Sequence, residues 1–335
     1  MESDTKMSKK ITFDKIHTAK KQQLLQEMMT RTCREAVKLG DSSTKSNICP
    51  ICHSNEIAYF TEKYGFPLSR CSNCDQLFCN PMPNKAQLQY YYNSEMKDFE
   101  NEFFIESFEN RIPIFEKRID VIQKYVSSGN LLDVGSAIGI FLTALTRKQN
   151  PYKLFSCDPS KSACATLKER FQNIEVYPYM VEDLDMPSYF DAITMWDTLE
   201  HVIDPLLVSR KINSLLKTDG YWFFSTPNTH SFEWLTAGEQ HVQILPPGHT
   251  NLFNPTSIRI LLEQTGFNLI DTHTLNGTLD VSYIKKQLGI SQIFNENVGA
   301  YLKSHLNEQA FSELFAEFLV KTKTAGNIFV IAQKR

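Results

Sequence analysis

Apolar positions follow two rhythms along this chain. From residue 131 onward, short β-favouring apolar runs fall at 131–134, 154–157, 174–177, 192–196, 221–225, 267–274 and 327–332. Between them, 141–147, 160–171, 206–216 and 256–265 repeat their apolar residues every three or four positions. The first rhythm predicts strands and the second predicts helices. Thr218-Asp219-Gly220 is placed to end the third helix, while Asn254-Pro255 opens the fourth and Gly266 closes it. Strands and helices in strict alternation predict an α/β fold, a parallel sheet covered on both faces.

The chain before residue 131 is patterned differently. Residues 17–39 carry Leu24, Leu25, Met28, Met29, Ala36 and Val37 near helical spacing, with Gly40 beyond. This predicts one amphipathic helix packed on the body, then a linker over 41–47. Two short strands are expected at 56–60 and 66–70, a turn at 80–84, and a helix beginning at 87–92. Residues 99–126 read as mostly helical, from Phe103, Phe104, Phe108, Ile112, Phe115, Ile119, Ile122 and Val126, with Pro113 breaking or kinking the run. Residues 127–130 end it. Far downstream, 277–325 reads as an insertion of two or three helices, with apolar positions Ile284, Leu288, Ile293, Tyr301, Leu302, Leu306, Phe311, Leu314, Phe315, Phe318 and Leu319. The expected organisation is therefore an N-terminal helix with a flexible start (1–46), a ribbon (47–83), a helical linker or cap (84–130) and a catalytic domain (131–335).

Cysteine spacing defines the ribbon. Cys49-Pro-Ile-Cys52 and Cys71-Ser-Asn-Cys74 are two Cys-x-x-Cys pairs about twenty residues apart. Each pair forms a tight knuckle, and four thiolates close a tetrahedron around Zn²⁺ with no position left for substrate. The expected zinc is structural. Cys33, Cys79, Cys157 and Cys164 fall off the pattern and read as ordinary buried thiols. No apolar run reaches the ~20 residues of a membrane span. The first ten residues are polar, without the apolar centre of a signal peptide. The expected compartment is the cytoplasm, where cysteines stay free or bind metal. The 335 residues carry a net charge of −3. That balance argues against a large nucleic-acid footprint, which needs clustered Lys and Arg.

The stretch Leu-Leu-Asp-Val-Gly-Ser-Ala-Ile-Gly-Ile-Phe, 131–141, has the form of a strand, a tight turn and a helix. Small residues are needed in such a turn because a ligand or a second backbone comes close. A dinucleotide fingerprint would want a third glycine where Ile140 stands. The spacing of Gly135, Ala137 and Gly139, led by Asp133, instead resembles motif I of the class I S-adenosylmethionine-dependent methyltransferases, with Ala137 at the usual middle glycine. Asp158, about twenty residues on, suits ribose hydroxyls. The resemblance extends from about Cys49 to Arg335, toward zinc-ribbon-bearing bacterial members, many of which act on sugars, polysaccharide precursors or natural products. It is carried by Asp133-Val-Gly-Ser-Ala-Ile-Gly139, Cys157-Asp158-Pro159, the run 190–201 ending Trp196-Asp197-Thr-Leu-Glu200-His201, and Gly248-His249 through Phe253.

The resemblance implies a Rossmann-like sheet closed by an antiparallel strand, S-adenosyl-L-methionine as cofactor, and a small-molecule or glycan-precursor acceptor. Cofactor contacts are expected at Asp133, Gly135, Ala137, Gly139 and Asp158. Asp183 is placed to meet the adenine amino group, and Trp196 and Asp197 to meet the sulfonium cation. Methyl transfer itself requires no metal; the chain must position the acceptor and take its proton. The base candidates are His249, His201 and His241, with Glu239 and Glu200 behind them. In related sugar C-methyltransferases a Glu-His pair acts near residue 249; here Gly248 stands where that Glu would be. Trp234 and Phe232 either wall an acceptor pocket or pack in the core. Two other readings remain open. Ribosomal RNA methylases also carry zinc ribbons, but only Lys63 and Arg70 are basic within the interval between the knuckles. A methyltransferase fold without activity, serving as a binding subunit, is the non-enzymatic alternative.

Overall fold

The computed structural model of this chain describes residues 19–40, 45–148, 150–274, 284 and 296–335. Helix α1 (Ala19–Lys38) lays Met29, Cys33 and Ala36 against Phe66, Tyr91 and Met96. The amphipathic helix thus packs on the body, as expected. Strands β1 (Ile57–Lys63), β2 (Phe66–Cys71) and β3 (Leu77–Cys79) form an antiparallel ribbon, to which the two-residue β9 (Asn251–Leu252) adds a fourth strand. Helix α2 (Lys85–Tyr92) opens on a capping box, in which Asn84 and Gln87 each accept the other's main-chain N–H at 2.9 Å. Helices α3 (Glu95–Glu106) and α4 (Phe108–Ile122) follow.

The break between α3 and α4 falls at Ser107, and α4 runs through Pro113. Sequence reading places the interruption at the proline. The hydroxyl of Ser107 donates to the Phe103 carbonyl at 2.9 Å and accepts from Arg111 Nε at 2.9 Å. Those bonds end one helix and start the next, while Pro113 loses a single main-chain donor.

A seven-stranded sheet makes the body. Its strands are β4 (Gly129–Val134), β5 (Tyr152–Cys157), β6 (Glu175–Tyr177), β7 (Phe190–Trp196), β8 (Leu216–Pro227), β10 (Phe267–His273) and β11 (Asn327–Lys334), in the order β10-β11-β8-β7-β4-β5-β6. The five strands from β8 to β6 pair in parallel, and β11 runs antiparallel to both its neighbours. This is the Rossmann-like sheet, closed by an antiparallel strand, that the resemblance implies. Helices α5 (Ile140–Arg147), α6 (Lys161–Arg170), α7 (Pro205–Leu215) and α9 (Pro255–Gln264) connect the strands, with the short α8 (Phe232–Ala237) in the loop after β8. Strand β8 begins directly after α7 and continues through 218–220, so the expected turn lies inside a strand, with Asp219 in the left-handed region at φ +60°.

Side chains alternate across the sheet as the pleat requires. Leu132, Ile193, Trp222, Phe224 and Val330 face α7 and α9. Leu131, Ala192, Phe223, Phe329 and Ile331 face α4, α5 and α6. Cys49, Ile51, Cys71 and Cys74 belong to the first of these cores, so the ribbon and the sheet share one apolar interior. Helices α10 (Glu296–His305) and α11 (Gln309–Lys321) bury Leu302, Leu306 and Leu319 with Ile284. The expected helical positions Leu288 and Ile293 lie outside the described residues. Among the described residues no helix is long and apolar enough to cross a membrane.

Gly129 opens β4 at φ +125°, and a Cβ there would run into the Asp191 carboxylate. That carboxylate accepts from Asn130 N at 2.8 Å and pairs with Lys217 Nζ at 2.8 Å. Gly129→Ala should therefore destabilise the protein by about 2 kcal/mol or more through strain and loss of these bonds. Urea denaturation is the check, and a shift within about 0.5 kcal/mol would contradict this account of Gly129.

Candidate active site

In an open parallel sheet, ligands bind beyond the carboxyl ends of the strands where the strand order reverses. Here the chain runs outward through β4, β5 and β6, then returns to lay β7 beside β4. The turn after β4 holds Gly135 at φ +73°, Ala137 at φ +44° and Gly139 at φ +78°. Gly135 has no room for a side chain, since a Cβ would lie 2.6 Å from Thr198 Oγ1. Ala137, where the resemblance would place a glycine, adopts the left-handed conformation at a cost of roughly 1 kcal/mol. Its N–H donates to Asp158 Oδ2 at 2.8 Å, and Ser160 N donates to Asp158 Oδ1 at 2.8 Å. The acid after β5 is thus held directly against the turn after β4.

Asp133 is buried at the end of β4, where Thr194 Oγ1 donates to its carboxylate at 2.7 Å. Burial pushes it up to about 7. Asp183 is exposed, on the single 3₁₀ turn after β6. Trp196, the last residue of β7, is buried against Phe115, Phe141 and Phe329. Asp197, at φ +47°, accepts from Ser225 Oγ at 2.9 Å and Asn327 Nδ2 at 2.7 Å.

Arg118 of α4 is the site-lining residue that sequence reading missed. Its guanidinium carbon lies 4.8 Å from the centre of the Trp196 ring, Nη1 donates to Ser225 Oγ at 3.2 Å, and Nη2 stands 3.8 Å from Asp197 Oδ2. The aromatic face and carboxylate expected to receive a cation thus hold one from the chain itself. The signal was present: Arg118 stands on the apolar stripe of α4, between Phe115 and Ile119.

Three further side chains converge beyond β7. Glu200 is buried, Thr226 Oγ1 donates to its Oε2 at 2.9 Å, and burial raises its carboxyl well above the usual range. His201 Nδ1 lies 2.9 Å from the Gly248 carbonyl, and His249 Nδ1 lies 2.8 Å from the Gln243 carbonyl. The rings meet edge to face at 4.6 Å. One ring nitrogen of each histidine and one oxygen of Glu200 all lie within 4.8 Å of one another. Burial holds His201 well below its ordinary value and takes His249 down to about 4, so both are neutral near pH 7. Tyr92 OH stands 3.2 Å from His201 Nδ1.

Gly248 is packed on Tyr91, and a Cβ there would lie 2.7 Å from the Tyr91 hydroxyl oxygen. No acid fits at 248; Glu200 brings the carboxylate to His249 from the other side. His241 is buried elsewhere, against the Trp234 ring at 4.4 Å, with Nδ1 accepting from Gln243 N at 3.2 Å. Burial lowers it to about 3. Trp234 packs with Leu68, Leu77, Ile244 and Leu252, Phe232 meets Phe315, and Glu239 accepts from Thr61 Oγ1 at 3.1 Å.

At the ribbon, the two knuckles repeat one geometry. Cys49 N donates to Ser54 O and His53 N to Cys49 O; Cys71 N donates to Gln76 O and Asp75 N to Cys71 O. His53 and Asp75, fourth after each first cysteine, are both left-handed at φ +58° and +61°. The sulfurs of Cys49 and Cys74 lie 3.6 Å apart, those of Cys52 and Cys71 3.5 Å. Thiolates 2.3 Å from a tetrahedral zinc would be separated by about 3.8 Å. The donor set and its spacing fit that ion.

Residues 108–272 match a family model described as a methyltransferase domain. A ubiquinone biosynthesis O-methyltransferase of Aliivibrio fischeri is 33% identical over 115 residues, 29% of this chain and 49% of that protein. One from Chromobacterium violaceum is 30% identical over 174 residues, 48% of this chain and 73% of that protein. The chain spans about half the length of the first of these. Among solved structures, a mycolic acid cyclopropane synthase complexed with SAH and CTAB superposes with a TM-score of 0.44 at 16% identity, covering 65% of this chain and 83% of that one.

The buried Asp133 carries a pH test. Unfolded, it releases its proton near 4; folded, it holds it to about 7. The folded state therefore binds more protons between these values, and its stability from this group falls as pH rises from 4 to 7. Asp133→Asn removes that loss. Its stability relative to the unsubstituted protein, measured by urea denaturation, should improve by a few kcal/mol from pH 4 to pH 8. A difference that stays flat over this range would refute the assignment.

Proposed function

Since the chain belongs to the class I S-adenosylmethionine-dependent methyltransferases, we propose that it methylates a hydroxyl-bearing small molecule. The observation that carries this reading is the left-handed turn of Gly135, Ala137 and Gly139 with Asp158 bound against it. S-adenosyl-L-methionine, when bound, supplies an electrophilic methyl group on a sulfonium. The turn leaves room for a ligand's backbone-close approach, and Asp158 can accept from ribose hydroxyls. Asp133 sits behind the turn, where Thr194 of β7 donates to its carboxylate and Ser136 of the turn donates to its main-chain carbonyl. Asp183, exposed after β6, is available to the adenine amino group. Trp196 and Asp197 hold the charge of Arg118 rather than a free cation, and the guanidinium so placed is suited to a carboxylate.

The acceptor end of the reaction is assigned to His249 and His201. With Nδ1–H directed at a main-chain carbonyl, each ring keeps its lone pair on Nε2. A neutral imidazole so fixed can accept the proton of a hydroxyl, and His249, held beside Glu200, is the first choice of base. His241, enclosed by Trp234, is better suited to shaping the loop. The names of the O-methyltransferase relatives favour oxygen as the atom methylated. Sugars, glycan precursors and secondary metabolites are the acceptor classes to test first. Cys49, Cys52, Cys71 and Cys74 are assigned to a structural zinc, on the strength of the matched knuckles. Cytoplasmic localisation accords with this chemistry.

Calorimetric titration with S-adenosylhomocysteine tests the cofactor site. Micromolar binding is expected, weakened at least about tenfold, or 1.4 kcal/mol, by Asp158→Ala. Unchanged affinity in both Asp158→Ala and Asp133→Ala would overturn the site. Zinc content and thermal melting test the ribbon. Cys49→Ser should lose the metal and melt several degrees lower, because its sulfur lies in the core shared with the sheet. A variant that keeps full zinc and an unchanged melting temperature would overturn the assignment.

A further inference from the structure

Glu200, His201 and His249 also form a ligand set, and an ion bound there would take up the Nε2 lone pair of His249 and activate the acceptor oxygen in place of that base. Two imidazoles and one carboxylate, each offering an atom within 4.8 Å of the others, have the composition of a site that binds a divalent ion on one face and leaves other positions open. We propose that this cluster binds a divalent first-row transition metal ion, which presents its open positions to an oxygen of the acceptor. The inference rests on the acceptor end lying here, as proposed above.

The supporting groups are those a metal site needs. A ligating histidine normally donates its other ring N–H to a carbonyl or carboxylate, which fixes the tautomer and aims the lone pair. Both histidines have that partner, the Gly248 carbonyl for His201 and the Gln243 carbonyl for His249. Thr226 Oγ1 orients Glu200 by donating to Oε2, which leaves Oε1 to ligate. The two loops are locked to one another, since Thr250 N donates to Glu200 O at 2.8 Å and Thr250 Oγ1 to Val202 O at 2.9 Å. Glu200 and His249 are buried and His201 is partly exposed, so the cluster opens to one side. Lys97, whose charge faces the histidines, is ion-paired with Glu100. The two imidazoles suit ions such as Fe²⁺, Ni²⁺ or Zn²⁺, and the carboxylate also accommodates Mn²⁺, the weakest binder of the first-row series and the one read directly by paramagnetic resonance. The four-cysteine cluster is all sulfur, so the two sites discriminate between soft and harder ions.

That difference supplies the experiment. The full chain, with its ribbon loaded with zinc, is titrated with Mn²⁺ and the free ion is followed by electron paramagnetic resonance. Uptake of a single Mn²⁺ per chain is expected, with affinity lost at least tenfold in Glu200→Gln and in His249→Ala, while zinc content stays constant. Glu200→Gln preserves size and the Thr226 contact; circular dichroism identifies any variant that fails to fold, and the conservative His201→Gln then replaces it. No Mn²⁺ uptake, or uptake that survives every substitution, overturns the metal site. S-adenosylhomocysteine binding is measured on the same samples. Binding of that ligand without Mn²⁺ uptake removes the metal and leaves the methyltransferase reading intact. Mn²⁺ uptake that the substitutions abolish, in a chain that does not bind S-adenosylhomocysteine, removes the reading and leaves the ion site.

Discussion

The ribbon takes its fourth strand from the segment that carries His249. Leu77 and Phe78 of β3 pair with Leu252 and Asn251 of the two-residue strand β9 (Asn251–Leu252), and Cys79 N donates to Thr250 O at 2.9 Å. Asn254 Nδ2 reaches the Cys74 carbonyl at 3.0 Å, and Lys63 Nζ the His241 carbonyl at 2.9 Å. A loop of more than twenty residues between β8 and α9 would otherwise pay its own ordering entropy. The ribbon removes that freedom, and a structural metal at its knuckles would act on the segment of His249 at one remove. The same pairing places His249 opposite His201, which arrives from the end of β7.

Burial of charge is the second organising constraint. Asp133, Glu200 and Arg118 all lie in the interior, where an ionised group is stable only with partners. Asp133 has the hydroxyls of Thr194 and Ser136, and Glu200 has that of Thr226. Arg118 has the Trp196 face, Ser225 and Asp197. These under-neutralised groups cluster around the strand ends rather than across the sheet, whose faces are apolar. Sites that bind and release charged ligands keep such groups because the ligand completes their pairing.

Strand and helix positions were legible where a period ran undisturbed. The strands from Leu131 and from Leu154, and the helices after Ser160 and Asn254, follow from alternation and capping alone. Departures came where a hydroxyl or a carboxylate overruled the local signal. Ser107 ends a helix that Pro113 was expected to interrupt. Asp191 draws Gly129 and Asn130 into β4, and its ion pair with Lys217 accompanies the extension of β8 through a turn-like triplet. The two residues of β9 carry no strand signal, because their pairing partner lies about 170 residues away in sequence.

Sequence by itself determined the α/β sheet, the knuckle cysteines and the turn at 135–139, since each depends on residues close in the chain: a period of two or of 3.6, a pair spaced by two, a backbone that must turn where a Cβ would clash. Tertiary structure decided which side chains share a site. Gly248 cannot carry an acid because Tyr91 fills the space, and Glu200 supplies one from another loop. Arg118 meets Trp196 because α4 packs across the sheet face beside α5. Both outcomes turn on volume and distance between segments remote in sequence, and no local pattern encodes those quantities.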